Sequence, residues 1–235
     1  GDYPPPAQER HLPLKSGGVL KQEPNAMPAM PDIAIYALAL IGGYLLGSIP
    51  FGYISAKAAG IDIRTVGSGN IGATNVLRTG RKDLAAITFI GDTGKGALAV
   101  GLAFVLLMKS DIQTRQTAMA LAGAAAFLGH LFPVWLKFKG GKGVATFFGT
   151  LFAACWPMGL IAAALWLLTA FIFRISSLGA LVAAALVVPV AFLLHVAPYP
   201  FLGMALFMAV LIYIRHHENI RRLLKGEEPK IGKKK

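Results

Sequence analysis

Gly67-Ser68-Gly69-Asn70-Ile71-Gly72-Ala73-Thr74-Asn75 sets three glycines within six residues of an otherwise apolar chain. Glycine permits positive φ and close backbone approach, so successive amide groups can turn toward one anion as a nest, and phosphate suits such a nest. Ser68, Asn70, Thr74 and Asn75 add neutral donors. Arg78 follows Thr74 by one helical turn, where its planar fork can take a pair of phosphate oxygens. Asn-Ile-Gly-Ala-Thr-Asn is a poor flexible linker, and the stretch lies close to a cationic cluster. No Gly-Lys-Ser/Thr follows, which excludes a Walker A loop.

A second polar stretch, Lys137-Phe138-Lys139-Gly140-Gly141-Lys142-Gly143-Val144-Ala145-Thr146, carries three cations and three glycines in its first seven residues, just before an apolar helix. Amide groups at a helix N-terminus, with Lys142 beside them and Gly140, Gly141 and Gly143 shaping the backbone, make a second anion site. A cytoplasmic loop rich in positive charge would explain the lysines but not the glycines. A third stretch, Arg215-His216-His217-Glu218-Asn219-Ile220-Arg221-Arg222, again crowds polar side chains at the end of an apolar run; a basic tail leaves the His216, Glu218, Asn219 spacing unaccounted for.

Three further groups lie within apolar runs. Asp92 and Lys95 stand at i and i+3 on one helix face, where opposite charges meet. Ionisable groups this costly inside a span face the bundle interior, so the pair reads as an ion pair bracing the polar loop, with direct ligand contact as the alternative. His130, in Gly129-His130-Leu131-Phe132-Pro133, reads as a hydrogen-bonding histidine. It has no second His or Cys at ligand spacing, and no metal is expected. The lone Cys155 reads as an inert thiol.

The elements that must position these residues are membrane helices. The chain is 55% hydrophobic and 14% charged, against about a quarter charged in soluble domains, and its mean hydropathy is +0.61. The net charge of +12 gathers between the apolar runs and in the tail, a pattern that suits a cytoplasmic face and anionic lipid or phosphate better than nucleic acid. Residues 1–31 hold seven prolines and read as a disordered proline-rich extension or a cloning remnant, set aside from the membrane domain over 32–228 and a basic tail over 229–235. Apolar runs at 33–57, 84–108, 117–135, 144–156, 157–173, 178–196 and 200–214 predict an all-α integral membrane protein of seven transmembrane helices, some short or kinked, with polar cytoplasmic motif loops. Pro50 kinks the first run, and Trp156-Pro157 divides one long run in two. The 144–156 segment is only about 20 Å long and needs shelter or local thinning of the bilayer. This count brings the glycine-rich loop, the Lys142 loop, the Arg174-Ile175-Ser176-Ser177 turn and the His216 segment to one side. The positive-inside rule makes that side cytoplasmic and leaves the N-terminus outside.

In combination, Gly-Ser-Gly-Asn-Ile-Gly-Ala-Thr-Asn (67–75), Gly-His-Leu-Phe-Pro (129–133) with Lys-Gly-Gly-Lys-Gly-Val-Ala-Thr (139–146), and Arg-His-His-Glu-Asn-Ile-Arg-Arg-Leu-Leu-Lys-Gly-Glu-Glu (215–228) resemble the three motifs of the bacterial acyl-phosphate:glycerol-3-phosphate acyltransferases, the PlsY type. The resemblance covers about 33–228. It implies an inner-membrane enzyme that moves a fatty acyl group from acyl phosphate to the 1-hydroxyl of glycerol 3-phosphate, giving lysophosphatidic acid and phosphate for phospholipid synthesis, with no cofactor and no metal. The partners it implies are acyl phosphate, glycerol 3-phosphate, membrane lipid and the soluble enzyme that makes the acyl phosphate. Matched position by position, Lys142, Ser177, His216 and Asn219 become the catalytic candidates. Gly67, Ser68, Gly69, Asn70, Gly72, Thr74, Asn75, Arg78, Gly140, Gly141 and Gly143 become the phosphate-binding ones, with Asp92, Lys95 and His130 in support. The general base is left between His216 and the acceptor's own phosphate. A carrier of phosphorylated solutes would also place glycines and cations among spans, yet no internal repeat is visible and the polar motifs sit at span ends. A scaffolding protein would not need three separate polar clusters.

Overall fold

The structure, a computed structural model, describes residues 32–232. The proline-rich stretch over 1–31 and the last three residues of the basic tail lie outside them. Among the described residues there are ten α-helices and no strand: α1 (Asp32–Gly47), α2 (Phe51–Ala58), α3 (Ala73–Val76), α4 (Lys82–Leu106), α5 (Ile112–Leu131), α6 (Val144–Ala154), α7 (Trp156–Phe173), α8 (Ser176–Leu193), α9 (Tyr199–Arg215) and α10 (His217–Leu224).

Helix boundaries follow local chemistry. Pro50 cannot donate to the preceding turn, and the first apolar run breaks into α1 and α2 around it. Pro157 sits in the first turn of α7, where a missing donor is harmless, so the break before it falls at Cys155. The helix expected from 117 instead begins at Ile112, because the Asp111 carboxylate accepts the Thr114 amide at 2.9 Å and caps a polar first turn. Five helical stretches are long and apolar enough to cross a membrane: Asp32–Ala58, Lys82–Leu106, Ile112–Leu136, Trp156–Phe173 and Ser176–Leu193. A sixth is the pair α9 and α10 if they are taken together across their 61° bend. The 11-residue α6 spans only about 16 Å.

The bundle is built around α5, whose apolar span is 61% buried against 22% for the α1 and α2 stretch. Helices α1, α4 and α9 pack directly on α5; α6 packs on α4, α7 on α6, and α8 between α7 and α9. Small residues allow the closest of these approaches. A Cβ added at Gly43 or Gly47 of α1 would lie 2.3 Å from the Ala122 carbonyl oxygen or 2.0 Å from that of Ala126, so two i, i+4 pairs of small residues let these backbones nearly touch. Phe127, Leu131, Phe147, Leu151, Met208 and Ile212 fill the centre. Large apolar side chains such as Phe171 (85% exposed) and Leu193 (71%) face outward, as lipid-facing positions do. A second, smaller core of Ala56, Ile63, Ile71, Val76, Leu84 and Ala85 lies under the glycine-rich loop and anchors it to α2 and α4. The chain is thus a multi-pass, all-helical membrane protein.

Candidate active site

The Lys142 loop is tied to the helix that precedes it. At the C-terminus of α5 the last carbonyls lack intrahelical partners, and the Gly140 amide takes Leu131 O while the Gly141 amide takes His130 O, each at 3.1 Å. A Cβ at Gly140 would come within 2.1 Å of His130 O, and one at Gly141 within 2.2 Å of His130 Nε2. These glycines therefore serve close approach, and their amides are spent inside the protein instead of forming the free nest expected of them. Gly143 caps α6 at φ +85°, with Phe127 packed against the place a Cβ would occupy. Arg215 completes the tie: its Nε and Nη2 donate to Gly141 O (3.2 Å) and Gly140 O (3.1 Å).

The glycine-rich loop is organised by Asn75. Its buried side-chain amide donates to the carbonyls of Ile63 (3.3 Å), Val66 (2.9 Å) and Asn70 (2.8 Å), and its Oδ1 accepts from the Ser68 amide (3.0 Å) and hydroxyl (3.3 Å). Asn75 is thus committed to the loop, and so are the Ser68 amide and the Gly69 amide, which donates to Val66 O at 2.9 Å. As at Gly140 and Gly141, oxygens of the same chain capture these two amides. Ser68, Thr74 and Arg78 are exposed, with Arg78 lying across Gly67, whose added Cβ would fall 2.9 Å from Arg78 Cδ. Asn70 keeps its side-chain nitrogen beside Gly72. Arg64 connects the two loops by donating to Lys139 O at 2.7 Å.

The catalytic candidates meet at the carboxylate of Glu228. Its Oε1 accepts from Ser177 Oγ (2.6 Å) and Asn219 Nδ2 (2.5 Å), its Oε2 from Arg222 Nε (2.7 Å), and Lys142 Nζ donates to Asn219 Oδ1. Three segments distant in sequence converge here: the turn before α6, the first turn of α8, and helix α10 with the stretch after it. Burial is the largest influence on Glu228 and works against its charge, but the donors Ser177, Asn219 and Arg222 together hold its carboxyl below the usual carboxylate range. Burial, then the neighbouring Arg222, lowers the Lys142 ammonium from an ordinary lysine. Arg174 fixes the tail that carries Glu228, accepting the Ile231 amide at 2.6 Å and donating Nη2 to Ile231 O at 3.1 Å. His216 is buried beside this cluster, and its Nδ1 lies 2.8 Å from Ile212 O. A carbonyl only accepts, so Nδ1 carries the proton and Nε2 keeps its lone pair.

Asp92, Lys95 and His130 lie together under the Lys142 loop. Lys95 Nζ donates to Asp92 Oδ1 and to Ile49 O, both at 2.8 Å, and His130 Nδ1 stands 3.5 Å from the same Asp92 oxygen. All three side chains are 3% exposed or less. Lys95 thereby fastens the carbonyl at the α1–α2 break, and Thr146 of α6 donates to Asp92 O at 2.9 Å, so the group links three helices around the loop. Among the described residues, no three His, Cys, Asp or Glu side chains gather as a metal site.

Glu228, Arg222, Arg215 and Arg64 carry this geometry without having been assigned a role from the sequence. Arg222 follows Asn219 by three residues, on one face of the strongly amphipathic α10, and that spacing was a usable signal. Glu228 closes the 215–228 motif, but its place in the cluster depends on the turn at Gly226, which its spacing alone did not show.

Residues 37–226 match the family model for glycerol-3-phosphate acyltransferase. The glycerol-3-phosphate acyltransferase of Caulobacter vibrioides is 64% identical over 212 residues, covering 88% of this chain and 94% of that protein. The one from Dinoroseobacter shibae is 58% identical over 211 residues, covering 88% of this chain and all of that protein. Among solved structures, the glycerol 3-phosphate form of PlsY (YgiH), an integral membrane glycerol 3-phosphate acyltransferase, superimposes with a TM-score of 0.76 at 38% identity, over 84% of this chain and 96% of that one. Its lysophosphatidic acid form gives 0.75 at 37% identity, over 84% and 95%. By sequence along nearly the whole membrane domain and by fold, this chain belongs to the glycerol-3-phosphate acyltransferase family.

Proposed function

We propose that the chain transfers a fatty acyl group from acyl phosphate to the 1-hydroxyl of glycerol 3-phosphate, releasing lysophosphatidic acid and inorganic phosphate. The observation that carries this reading is the convergence of Ser177, Asn219 and Arg222 on the Glu228 carboxylate, with Lys142 bonded to the same Asn219. A phosphate likewise presents negative charge and acceptor oxygens to these donors. Both proposed substrates carry one, and the exposed Ser68 and Arg78 on the glycine-rich loop offer donors to the second.

The chemistry asks little more. Acyl phosphate is a mixed anhydride with a good leaving group, so positioning and charge stabilisation carry the reaction. The acceptor oxygen bonds to the acyl carbon, the bond from that carbon to the bridging phosphate oxygen breaks, and the hydroxyl proton ends on the departing phosphate, directly or by way of His216 Nε2. Lys142, Ser177 and Asn219 hold the oxygens that gain charge. Gly140, Gly141, Gly143, Gly67, Gly69, Gly72 and the Asn75 network keep the two loops in place, and Asp92, Lys95 and His130 support them.

The enzyme spans a bacterial inner membrane seven times, counting α1 with α2 as one crossing and α6 as a short one, with its active site and C-terminus cytoplasmic and its N-terminus outside. In support, Lys142, Ser177 and Asn219 bond into one cluster although α6, α7, α8 and α9 lie between them in sequence; this requires an even number of crossings between each pair. The test is purified protein in detergent given acyl phosphate and glycerol 3-phosphate, with phosphate release followed. Acyl phosphate should support turnover and acyl-CoA at equal concentration should not; comparable rates with the thioester would refute the donor assignment.

A further inference from the structure

A trough between α2 and the turn over 135–139 combines an apolar end with a cationic one. Pro50, Tyr53, Ile54 and Lys57 fall at i, i+3, i+4 and i+7 along α2 and its start, on one helix face. Against that face stand Trp135 and Leu136, bounding with Ile49 an open apolar cavity of about 410 Å³. A neighbouring cavity of about 730 Å³ shares Tyr53, Trp135 and Leu136 with the first and adds Lys57, Arg64, Lys137 and Lys139. Asp62 lines it too, but its carboxylate accepts the Arg64 amide at 3.1 Å, and four cations face this one acid.

Three of these cations are without an acidic partner: among the described residues, none of Lys57, Lys137 and Lys139 forms an ion pair, and Lys57 rests over the Tyr53 ring at 5.7 Å. The backbone that carries Lys137 is strained: Lys137 and Phe138 are successive non-glycine residues in the left-handed region, at φ 50° and 60°. Backbone bonds hold it, from the Lys137 amide to Val134 O (3.3 Å), from Phe138 to Pro133 O (3.0 Å) and from Lys139 to Leu136 O (3.1 Å), so the place of Lys137 at the trough is fixed. Trp135 is 64% exposed and Ile54 50% exposed, which opens the apolar end to the surrounding hydrocarbon, while Lys57 lies in the last turn of α2 at the polar end.

We propose that this trough is a binding site for an anionic phospholipid of the surrounding leaflet, with acyl chain along Ile54, Trp135 and Leu136 and phosphate among Lys57, Lys137 and Lys139. The charge pattern selects the occupant. A zwitterionic lipid brings an ammonium group toward four cations, whereas an anionic headgroup meets them with net attraction. Lys57 and Lys137 take no part in the Lys142–Glu228 cluster, so substituting them tests the trough apart from the proposed reaction.

The test is native mass spectrometry of the full chain in detergent, titrated with phosphatidylglycerol or with phosphatidylcholine of the same acyl chains. The first bound lipid should show a preference of at least about ten-fold for phosphatidylglycerol, weakening as ionic strength rises. Lys57→Gln with Lys137→Gln should bring the two lipids to within about two-fold of each other, while phosphate release from acyl phosphate in detergent stays near that of the wild type. Equal affinity for the two lipids, or a preference that survives both substitutions, overturns the proposal. So does displacement of phosphatidylglycerol by a soluble short-chain acyl phosphate at its working concentration, which would assign the trough to substrate. Should the double variant fail to fold, Lys57→Gln alone carries the same test, with a loss of about five-fold expected and an unchanged preference overturning the proposal.

Discussion

Replacing Lys142 by methionine keeps the stem of the side chain and its volume while removing the charge, so the packing change is small. Two losses follow. Asn219 Oδ1 is left without its donor in a buried position, at a stability cost of about 1–3 kcal/mol, though Asn219 Nδ2 remains fixed by Glu228 at 2.5 Å and the cluster keeps its frame. A preorganised charged donor also disappears from the oxygens that gain charge in the transition state, worth about 2.7–4 kcal/mol, so turnover should fall by about 10²–10³-fold. The assay is phosphate release, with thermal unfolding followed on the same samples. Within ten-fold of wild-type turnover, the reasoning fails.

The pH dependence sharpens this test. Burial and then Arg222 lower the Lys142 ammonium, so wild-type activity should decline on the alkaline side before an ordinary lysine would titrate, and Lys142→Arg should keep its charge there. The sign for stability is opposite. A lysine whose folded-state pKa lies below its unfolded value leaves the unfolded chain binding more protons in the window between the two, so this group's contribution to stability rises with pH through that window. Alkaline loss of activity should therefore arrive without a fall in melting temperature attributable to Lys142. A parallel fall of both would show unfolding and would remove the support for a catalytic ammonium.

Three further outcomes are expected. Gly141→Ala puts a Cβ 2.2 Å from Nε2 of a His130 that is only 3% exposed and cannot yield, so the loop must shift and turnover should drop by about 10²-fold; Gly42→Ala, with nothing within 4 Å, should leave it unchanged. His216→Asn retains a donor for Ile212 O and should melt near the wild type, yet lose about 10²-fold or more in turnover if Nε2 relays the proton; wild-type turnover would leave that transfer wholly to phosphate. In a Cys155→Ala background, Lys225→Cys should react with an impermeant thiol reagent only from the cytoplasmic side and Lys109→Cys only from the other, and the reverse would break the seven-crossing arrangement.

The helical class and the location of the polar loops were legible because each rests on short-range chemistry. A run of apolar residues demands a helix in lipid whatever surrounds it, and Pro50 and Pro157 break their runs by removing a backbone donor, an effect local to one turn. The closeness of α1 to α5 was less legible. Gly43 and Gly47 are ordinary residues of an apolar stretch until Ala122 and Ala126, nearly eighty residues away, are known to lie opposite them.

The site divides along the same line. Lys142, Ser177, His216 and Asn219 stood out because polar side chains at the ends of apolar runs are conspicuous, and the structure gathers Lys142, Ser177 and Asn219 into one hydrogen-bonded group with His216 buried beside it. The glycines were noticed for close approach, and at Gly69, Gly140 and Gly141 the structure shows the amides bonded to carbonyls of the same chain. Counting glycines shows that a backbone can come near something without showing what. At Gly140 and Gly141 the neighbour is the unfinished end of α5, whose free carbonyls lie in the same chain and capture the amides before any ligand does. The side chains of the cluster are arranged around Glu228, a residue from the polar tail whose position is settled by the turn at Gly226 and by Arg174 holding Ile231. A tail glutamate reads as solvated charge until the fold brings three donors to it, which is why the acid at the centre of the cluster was the part that local patterning could not reach.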